Sequence, residues 1–185
     1  MSRDWRGRVF IGMSLDGYIA RPDSSLEWLT DPPPGIEHYS ISSNHPALEW
    51  NAFIEDIDHL VMGRATYDKV LTFEHWPFAD RHVLVLSTTL SASADSRIAV
   101  VRSVQEAATL LSQRDARNVY VDGGKVIRAF IASDLVDEIT IAIAPVLIGA
   151  GIALFGELSD DVRLRLRAAH ASSNGMTHQT YDVVR

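Results

Sequence analysis

Three short polar or glycine-rich segments each follow an apolar run that predicts a buried strand. They cover residues 63–66, 87–89 and 122–125. In an open α/β sheet, ligands bind outside the carboxyl ends of the strands. Two of the segments also lead into predicted helices, whose unpaired N–H groups suit phosphate, and Arg64 and Lys125 add positive charge. Any one segment alone could be a simple strand-to-helix turn, but the three together indicate an anionic, nucleotide-like ligand.

Two acidic residues are candidate proton donors. Asp16 lies in Leu15-Asp16-Gly17 after the first predicted strand, and Glu49 lies on a predicted helix over residues 47–57. Both have a simpler interpretation, since aspartate is common in turns and Glu49 could be a solvated helix residue. A carboxyl group within reach of a substrate can act as a general acid, so Glu49 and Asp16 are the candidate catalytic residues. Asp122, in the third segment, is a further acidic candidate.

Other classes of chemistry lack the residues that they need. The chain has no cysteine, which excludes disulfides, thiolate zinc sites, iron–sulfur clusters and a cysteine nucleophile. None of the seven histidines lies two, three or four residues from another, so the sequence predicts no metal site. No Gly-x-Ser-x-Gly motif supports a serine hydrolase. Gly149-Ala150-Gly151 matches only part of a dinucleotide fingerprint, because position 154 is leucine, and indicates a loop that approaches another group closely.

Strands alternate with helices up to about residue 144. The predicted strands cover residues 8–15, 59–63, 82–86, 98–101, 118–121 and 138–144, and further helices begin near Thr66, at Ser103 with a capping box to Glu106, and after Asp122. Residues 164–171 and 177–184 are expected to pair around the turn Ser173-Asn174-Gly175. This pattern predicts an α/β fold with three αβα layers, in which a mostly parallel central sheet ends in an antiparallel C-terminal hairpin.

Residues 21–46 contain five of the prolines, at positions 22, 32, 33, 34 and 46. Proline resists both helix and central strand, so this segment is predicted to be a long loop. A loop of this length in a compact domain is usually functional, often as a lid, and is otherwise disordered.

Length and charge limit the possible partners. A chain of 185 residues predicts one domain, residues 1–185. With a formal net charge of −7 and no basic tract, it does not resemble a nucleic-acid-binding protein. The apolar run over residues 9–15 is too short to span a membrane and has no convincing cleavage site after it. We therefore expect a soluble, cytoplasmic protein without a membrane or nucleic-acid partner.

Four motifs occur in an order that resembles the dihydrofolate reductase-like superfamily. They are Met13-Ser14-Leu15-Asp16-Gly17-Tyr18-Ile19-Ala20, Val61-Met62-Gly63-Arg64-Ala65-Thr66-Tyr67, Asp122-Gly123-Gly124 and Pro145-Val146-Leu147-Ile148-Gly149-Ala150-Gly151. Met-Gly-Arg-x-Thr after a strand is fairly specific, whereas the glycine pair alone is weak. The closer resemblance is to the branch that includes the C-terminal reductase domain of riboflavin biosynthesis enzymes (RibD). It implies a dihydrofolate reductase-like fold in a stand-alone, single-domain member.

The resemblance implies that the chain binds NADPH. Matching positions are Gly63, Arg64, Ala65 and Thr66 at the phosphates, Leu86, Ser87 and Thr88 beside the adenosine and its 2′-phosphate, Gly123, Gly124, Lys125, Val126 and Ile127 at the pyrophosphate, and Gly12 and Ile19 near the nicotinamide. Backbone N–H groups and cations would meet the phosphates, and apolar walls would hold the nicotinamide ring. A cis peptide bond between Gly123 and Gly124 is also implied.

The resemblance is looser on the substrate side. Trp28 resembles a tryptophan of the family's mobile loop after a one-residue insertion, and Phe53 resembles a pocket phenylalanine on the first helix. Glu49, one turn before Phe53, falls where dihydrofolate reductases keep the acid that binds the pterin, with a two-residue shift in spacing. A Glu49 that faces this pocket would lie away from bulk water and act as a proton source. The Leu15-Asp16-Gly17 form of the first motif points instead to the riboflavin-type branch.

Together these features predict an NADPH-dependent reductase that transfers a hydride to a C=N or C=O bond of a small pteridine- or pyrimidine-like substrate. One alternative is a nucleotide-binding module without catalysis. Another is a reductase of a phosphoribosyl-aminopyrimidine in riboflavin biosynthesis, which needs a second basic cluster for the substrate phosphate. Such a cluster is not apparent in the sequence.

The apolar strands over residues 138–144 and 177–184 are predicted to lie near a sheet edge, where a partner would bury them. Related single-domain members resemble homodimers, so a two-fold symmetric dimer is expected.

Overall fold

The structure, a computed structural model of the protein, describes residues 3–30, 46–92, 95–158 and 160–185. The strands are β1 Arg6–Ser14, β2 Tyr18–Ala20, β3 His59–Gly63, β4 His82–Leu86, β5 Ile98–Val101, β6 Asn118–Asp122, β7 Glu138–Ala144, β8 Ile152–Ala153, β9 Arg163–Ala171 and β10 Thr177–Val184. The helices are α1 Glu27–Thr30, α2 Trp50–Glu55, α3 Arg64–Val70, α4 Val104–Gln113 and α5 Gly124–Ala132. Among the helices described, none combines the length and the apolar composition that a membrane span requires.

Eight strands form one sheet in the order β5-β4-β3-β6-β1-β7-β10-β9, and β2 pairs separately with β8. Strands β5, β4, β3 and β6 pair in parallel, and β6 pairs in parallel with the first residues of β1. Strand β10 runs antiparallel to both β7 and β9. These pairings confirm the predicted mostly parallel sheet with an antiparallel C-terminal hairpin.

The chain divides into two compact units, and unit 1 comprises Met1–Val9 and Ile54–Asp137. Its parallel strands are apolar along nearly their whole length because both faces of such a sheet are covered. Leu60, Val61 and Met62 of β3, for example, have no exposed surface. Helix α4 begins as predicted, since the Ser103 Oγ accepts a hydrogen bond from the Glu106 N–H at 3.1 Å. The Glu106 carboxylate accepts from the N–H of Arg102, which stands in for the second bond of a capping box.

Unit 2 comprises Phe10–Phe53 and Glu138–Arg185. It contains the antiparallel strands β7, β10 and β9, the β2–β8 pair, the short helix α1 and the first four residues of α2. The predicted hairpin turn is present, with the Ser172 N–H bonded to the Met176 carbonyl at 2.9 Å and Gly175 at φ 81°. A positive φ is typical of the residues that close tight hairpins.

Several boundaries differ from the predictions. Helix α2 begins at Trp50 instead of residue 47, and α3 begins at Arg64 instead of near Thr66. The elements β2, β8 and α1 are too short to produce a periodic pattern, and the sequence did not indicate them. The predicted loop over residues 21–46 falls largely outside the described residues, because 31–45 are not among them.

The strands over residues 138–144 and 177–184 lie near one end of the sheet, as predicted, but neither is its edge strand. In the described part of the chain, β7 lies between β1 and β10, and β10 lies between β7 and β9, so that β5 and β9 are the ends of the sheet. The order of strands along the chain does not determine their order in space. Strand β9 lies outside β10, its hairpin partner, and takes the edge position.

Candidate functional site

The register of the parallel strands in unit 1 brings the three predicted segments together where the strands end, at their carboxyl termini. Gly63, the last residue of β3, pairs with Leu86, the last residue of β4. On the other side of β3, Met62 pairs with Asp122 at the end of β6. Residues 63–66, 87–89 and 122–127 therefore begin side by side, and we call them the strand-end cradle.

Gly123 lets the first and third segments of the cradle approach each other. Its φ is 87°, which side chains disfavour, and a Cβ atom there would lie 2.5 Å from the Thr66 Oγ1. Helix α5 begins directly afterwards, and the Ile127 N–H bonds to the Gly123 carbonyl at 2.9 Å. The N–H groups before Ile127 are those that a helix does not satisfy by itself, and they suit an anion.

The predicted cis peptide bond between Gly123 and Gly124 is wrong, since the described residues contain no cis peptide bond. A cis bond without proline costs about 2.5–4 kcal/mol. The positive φ of Gly123 already turns the chain from β6 into α5 with a trans bond.

The two cations of the cradle face solvent. Arg64 opens α3 with a side chain that is 45% exposed, and its Nε donates to both carboxylate oxygens of Asp68 at 2.7 and 2.8 Å. Lys125 and Ala65 are also exposed, whereas Gly124, Val126 and Ile127 are buried under the first turn of α5. Arg64 and Lys125 are thus accessible to an anion in solution, and Asp68 offsets part of the Arg64 charge.

The middle segment is shaped by Ser87. This serine is buried, and its Oγ accepts hydrogen bonds from the N–H groups of Leu90 at 3.1 Å and Thr89 at 3.3 Å. Thr88 is exposed, and Leu86 is half-buried. The Arg102 Nη1 donates to the Ser87 carbonyl at 2.5 Å, which places a further cation beside this segment. Sequence reasoning missed Arg102, although its position directly after a strand was a usable signal.

Asp122 is the acidic group of the cradle. Burial raises the pKa of its carboxyl group, while hydrogen bonds from the Gly123 N–H, at 2.8 Å, and from the Tyr120 hydroxyl oppose that rise. The same burial, with the nearby Asp122 charge, raises the pKa of Tyr120. A carboxyl group with a raised pKa keeps a proton at higher pH than usual.

Asp16, in unit 2, connects the turn after β1 to the loop that contains residues 148 and 149. Its carboxylate accepts hydrogen bonds from the Ser14 Oγ at 2.6 Å and from the N–H groups of Gly149 at 2.7 Å and Ile148 at 3.3 Å. These bonds, the Ser14 bond foremost, lower the pKa of Asp16. An ionised carboxylate with these partners acts as an acceptor that organises the backbone.

The loop after Pro145 makes the close approach that its glycines predicted. A Cβ atom on Gly151 would lie 2.2 Å from the Ala20 carbonyl oxygen of β2. Gly12 is less tightly confined, since a Cβ atom there would lie 2.6 Å from the Leu29 Cδ2, the end of a side chain. Ile19 lies in β2 and is half-buried.

Glu49 lies one residue before α2, and its side chain is 55% exposed, so the predicted desolvation of this group is absent. Its Oε1 lies 2.5 Å from the Nε2 of His170. The His170 Nδ1 accepts a hydrogen bond from the Ala47 N–H at 3.0 Å. Because Nδ1 is an acceptor, the neutral His170 ring carries its proton on Nε2 and donates it to Glu49.

His178 completes what we call the Glu49 cluster, consisting of Glu49, His170 and His178. It is the cross-strand partner of His170, and the two rings are stacked with centroids 5.0 Å apart and planes at 15°. Burial lowers the pKa of His178, the Glu49 charge opposes this, and His170 adds to it. Sequence spacing did not reveal the cluster, although the predicted hairpin places residues 170 and 178 on facing strands.

The predicted substrate residues are buried. Trp28 lies in α1, and its indole Nε1 has no hydrogen-bond partner among the described residues. Phe53 is 0% exposed and packs against Phe10 and Trp50, with ring centroids 5.2 and 5.9 Å away. In unit 2, Asp16 and Glu49 hydrogen-bond to separate sets of partners, the first to residues 14, 148 and 149 and the second to His170.

Comparisons with known proteins give a consistent result. A family model, the RibD C-terminal domain, matches residues 7–178. The uncharacterized protein YwjB of Bacillus subtilis (strain 168) is 32% identical over 164 residues, which are 86% of this chain and 87% of that protein. The structure of a putative riboflavin biosynthesis protein from Shewanella sp. PV-4 is 33% identical with a TM-score of 0.81, over 97% of this chain and 99% of the other.

The structure of dihydrofolate reductase from Enterococcus faecalis, complexed with NADP(H) and RAB-propyl, has a TM-score of 0.69 at 17% identity and covers all of both chains. At this identity the likeness concerns the fold alone. The fold is thus dihydrofolate reductase-like, as the motifs predicted.

Proposed function

Because the chain belongs to the RibD C-terminal domain family, we propose that it is an NADPH-dependent reductase. It transfers a hydride to a C=N or C=O bond of a small pteridine- or pyrimidine-like substrate. The observation that carries the proposal is the strand-end cradle, where three segments of different sequence meet at one edge of a parallel sheet. Family membership supports a reductase, and the cradle supports the class of cofactor.

The cradle fits the phosphates of NADPH. At Gly123 a Cβ atom would lie 2.5 Å from the Thr66 Oγ1, so only glycine brings the start of α5 this close to Thr66. The N–H groups of residues 124–126 would hold the pyrophosphate, and Arg64, Thr88 and Arg102 would hold the 2′-phosphate. When bound, NADPH supplies the hydride, and the chain's residues orient it.

For the proton that accompanies the hydride, we propose Glu49, protonated on Oε2, as the donor, and His170, whose Nε2–H bonds to Oε1, as the residue that positions it. The hydrogen bond between them is 2.5 Å, and the Ala47 N–H fixes the orientation of the His170 ring. Asp16 is less suited to donate, since hydrogen bonds keep its pKa low. We assign Asp16 a structural role, in which its hydrogen bonds hold residues 148–149 beside the turn that follows β1.

The test is NADPH oxidation, followed at 340 nm, with dihydrofolate, pteridines and aminopyrimidines, including a phosphoribosyl-aminopyrimidine. Turnover of at least one of these substrates is expected. Tight NADPH binding without any turnover would favour a nucleotide-binding module without catalysis. Failure to bind NADPH at all would refute both functions.

We further propose that the chain forms a homodimer through the edge strand β9. Leu164 and Leu166 are 40% and 57% exposed and share one face of the strand, since side chains two residues apart point the same way. Light scattering at micromolar concentration should show a dimer, and the double substitution Leu164→Glu, Leu166→Glu should give monomers. A wild-type monomer would rule out this assembly.

A further inference from the structure

We propose that the Glu49 cluster is a binding site for a divalent transition-metal ion, for which Zn²⁺ is the best chemical match. One carboxylate oxygen of Glu49 and one ring nitrogen each of His170 and His178 lie within 4.8 Å of one another. Imidazole nitrogen and carboxylate oxygen are ligands that Zn²⁺ prefers, and three protein ligands leave a position for water. The inference goes beyond the proposed reductase and does not depend on it. Because a Glu49 carboxylate that coordinates an ion cannot donate a proton, the two roles of Glu49 belong to different states of the protein, with and without the metal.

The hairpin supplies the fixed part of the site. His170 and His178 face each other directly across β9 and β10. Directly paired cross-strand residues have Cβ atoms about 4.5–5.5 Å apart, which suits two side chains that share one ion. The histidines therefore start close together on a backbone that does not need to move.

The burial of His178 and its unpaired ring nitrogen are the evidence for a ligand. The residue is only 7% exposed, and its Nδ1 is buried without a hydrogen-bond partner among the described residues. An unpaired buried polar nitrogen costs about 1–3 kcal/mol. Coordination of a metal ion through Nδ1 would remove this penalty.

The three side chains must move for the site to close. Zn²⁺ binds nitrogen and oxygen at about 2.0–2.2 Å, so the three ligand atoms must draw nearer than their present spacing. The stacked rings must also rotate, because a metal lies in the plane of each imidazole that it binds. Rotation about the χ2 angle of histidine is soft, and Glu49 is exposed and free to adjust.

Metal binding has a specific consequence at Ala47. A metal on the His170 Nε2 moves the proton of the neutral ring to Nδ1, which can then no longer accept the bond from the Ala47 N–H. That bond, 3.0 Å long in this structure, must break. The Ala47 amide therefore reports on the metal, and the lost bond makes the affinity lower than that of a four-ligand structural site.

The experiment uses the full chain, without a histidine tag and stripped with a chelator, and no NADPH or substrate. Titration with Zn²⁺ in a calorimeter should show one saturable site, and Co²⁺ should give the visible absorption bands of a nitrogen- and oxygen-ligated ion. In a ¹H–¹⁵N spectrum, the Ala47 amide should shift and lose protection from exchange as Zn²⁺ is added.

Three variants test the ligands and two serve as controls. Glu49→Gln, His170→Asn and His178→Asn should each weaken Zn²⁺ binding by at least about tenfold. His75→Asn, with a side chain 87% exposed, and His82→Asn, at the start of β4, should bind as the wild type does. Glu49 is exposed, so Glu49→Gln tests the proposal even if His178→Asn does not fold. Absence of a saturable site, or wild-type affinity in Glu49→Gln and His170→Asn, would overturn the proposal.

Discussion

The two compact units hold their polar groups by different means. In unit 1, the strand-end cradle is built from backbone: a glycine with φ 87°, the start of α5 and strand ends in register. In unit 2, Asp16 reaches Gly149 across 133 positions of the chain, and Glu49 reaches His170 across 121. A site built from backbone leaves a local motif in the sequence, whereas a site built from distant side chains leaves none.

The largest expected effect is a loss of turnover when Glu49, a residue of unit 2, is changed. Glu49→Gln keeps the size of the side chain but cannot donate the same proton, so kcat should fall about 10²–10⁴-fold. The affinity for NADPH should not change, because Glu49 is not among the residues proposed to hold the cofactor. Glu55→Gln, at the end of α2, is the matched control. Steady-state kinetics and a cofactor titration measure both quantities, and a kcat within about threefold of wild type would remove Glu49 from the mechanism.

The next largest effect is a loss of stability when a glycine in the backbone of unit 1 is replaced. Gly123→Ala should lower the free energy of unfolding for two reasons. A residue with a side chain at a positive φ costs about 1–3 kcal/mol, and the clash of its Cβ atom with the Thr66 Oγ1 costs about 1–3 kcal/mol more. Gly149→Ala is the control, since Gly149 has φ 77° and no atom within 4 Å of its added Cβ. Urea unfolding should show the larger loss for Gly123→Ala, together with weaker NADPH binding. Equal losses in both variants would mean that the close approach to Thr66 is unimportant.

A smaller effect concerns the choice of cofactor. Arg64 should contribute about 1–3 kcal/mol to the preference for NADPH over NADH, the range for hydrogen bonds to charged groups. Arg64→Ala should lose most of that preference, while Lys69→Ala, in the last turn of α3, should retain it. Dissociation constants for both cofactors test this. Equal affinity of the wild type for NADH and NADPH would contradict it.

The smallest effect is on acid stability, and it shows that unit 1 also contains a side-chain network. The hydrogen bonds from Arg97, at 2.7 Å from its Nη2, lower the pKa of Asp95 from 3.8 to about 2, and the Tyr67 hydroxyl also donates to Asp95. Since the folded pKa is below the unfolded one, Asp95 stabilises the fold above pH 4, and this contribution is lost as the pH falls toward 2. Asp95→Asn should therefore be less stable than wild type in urea at pH 7, and the difference should shrink at pH 2.5. A difference that does not vary with pH would exclude this charge effect.

The cradle was predictable because each of its parts has a local cause. The apolar strand at 59–63 ends in Gly63, and those at 82–86 and 118–122 are followed by Ser87 and Gly123. These residues indicate strand ends, and parallel pairing places such ends side by side. The role of Ser87 was not predictable in the same way. Its hydroxyl accepts hydrogen bonds from the Thr89 and Leu90 amides. Which amides lie within reach of this hydroxyl depends on the exact path of the loop.

The acidic candidates illustrate the limits of local patterns. Asp16 is ambiguous between a turn residue and an acid until its bonds to Ile148 and Gly149 are known. For Glu49, a start of α2 at Trp50 instead of residue 47 places the side chain before the helix and in solvent. A shift of one residue rotates a helical side chain by about 100°, so such boundaries decide which groups face a site.

Local sequence was enough to predict the longer strands and helices in their order along the chain, the family and the glycine positions of the cradle, because hydrophobic periodicity and backbone conformation act over a few residues. It also determined that residues 164–171 and 177–184 form a hairpin. The turn of that hairpin also sets which residues of the two strands face each other, so the pairing of His170 with His178 has a local cause. The approach of Glu49 to this pair was settled by tertiary contacts, because Glu49 lies 121 positions before His170 and no short-range preference brings residues so far apart together.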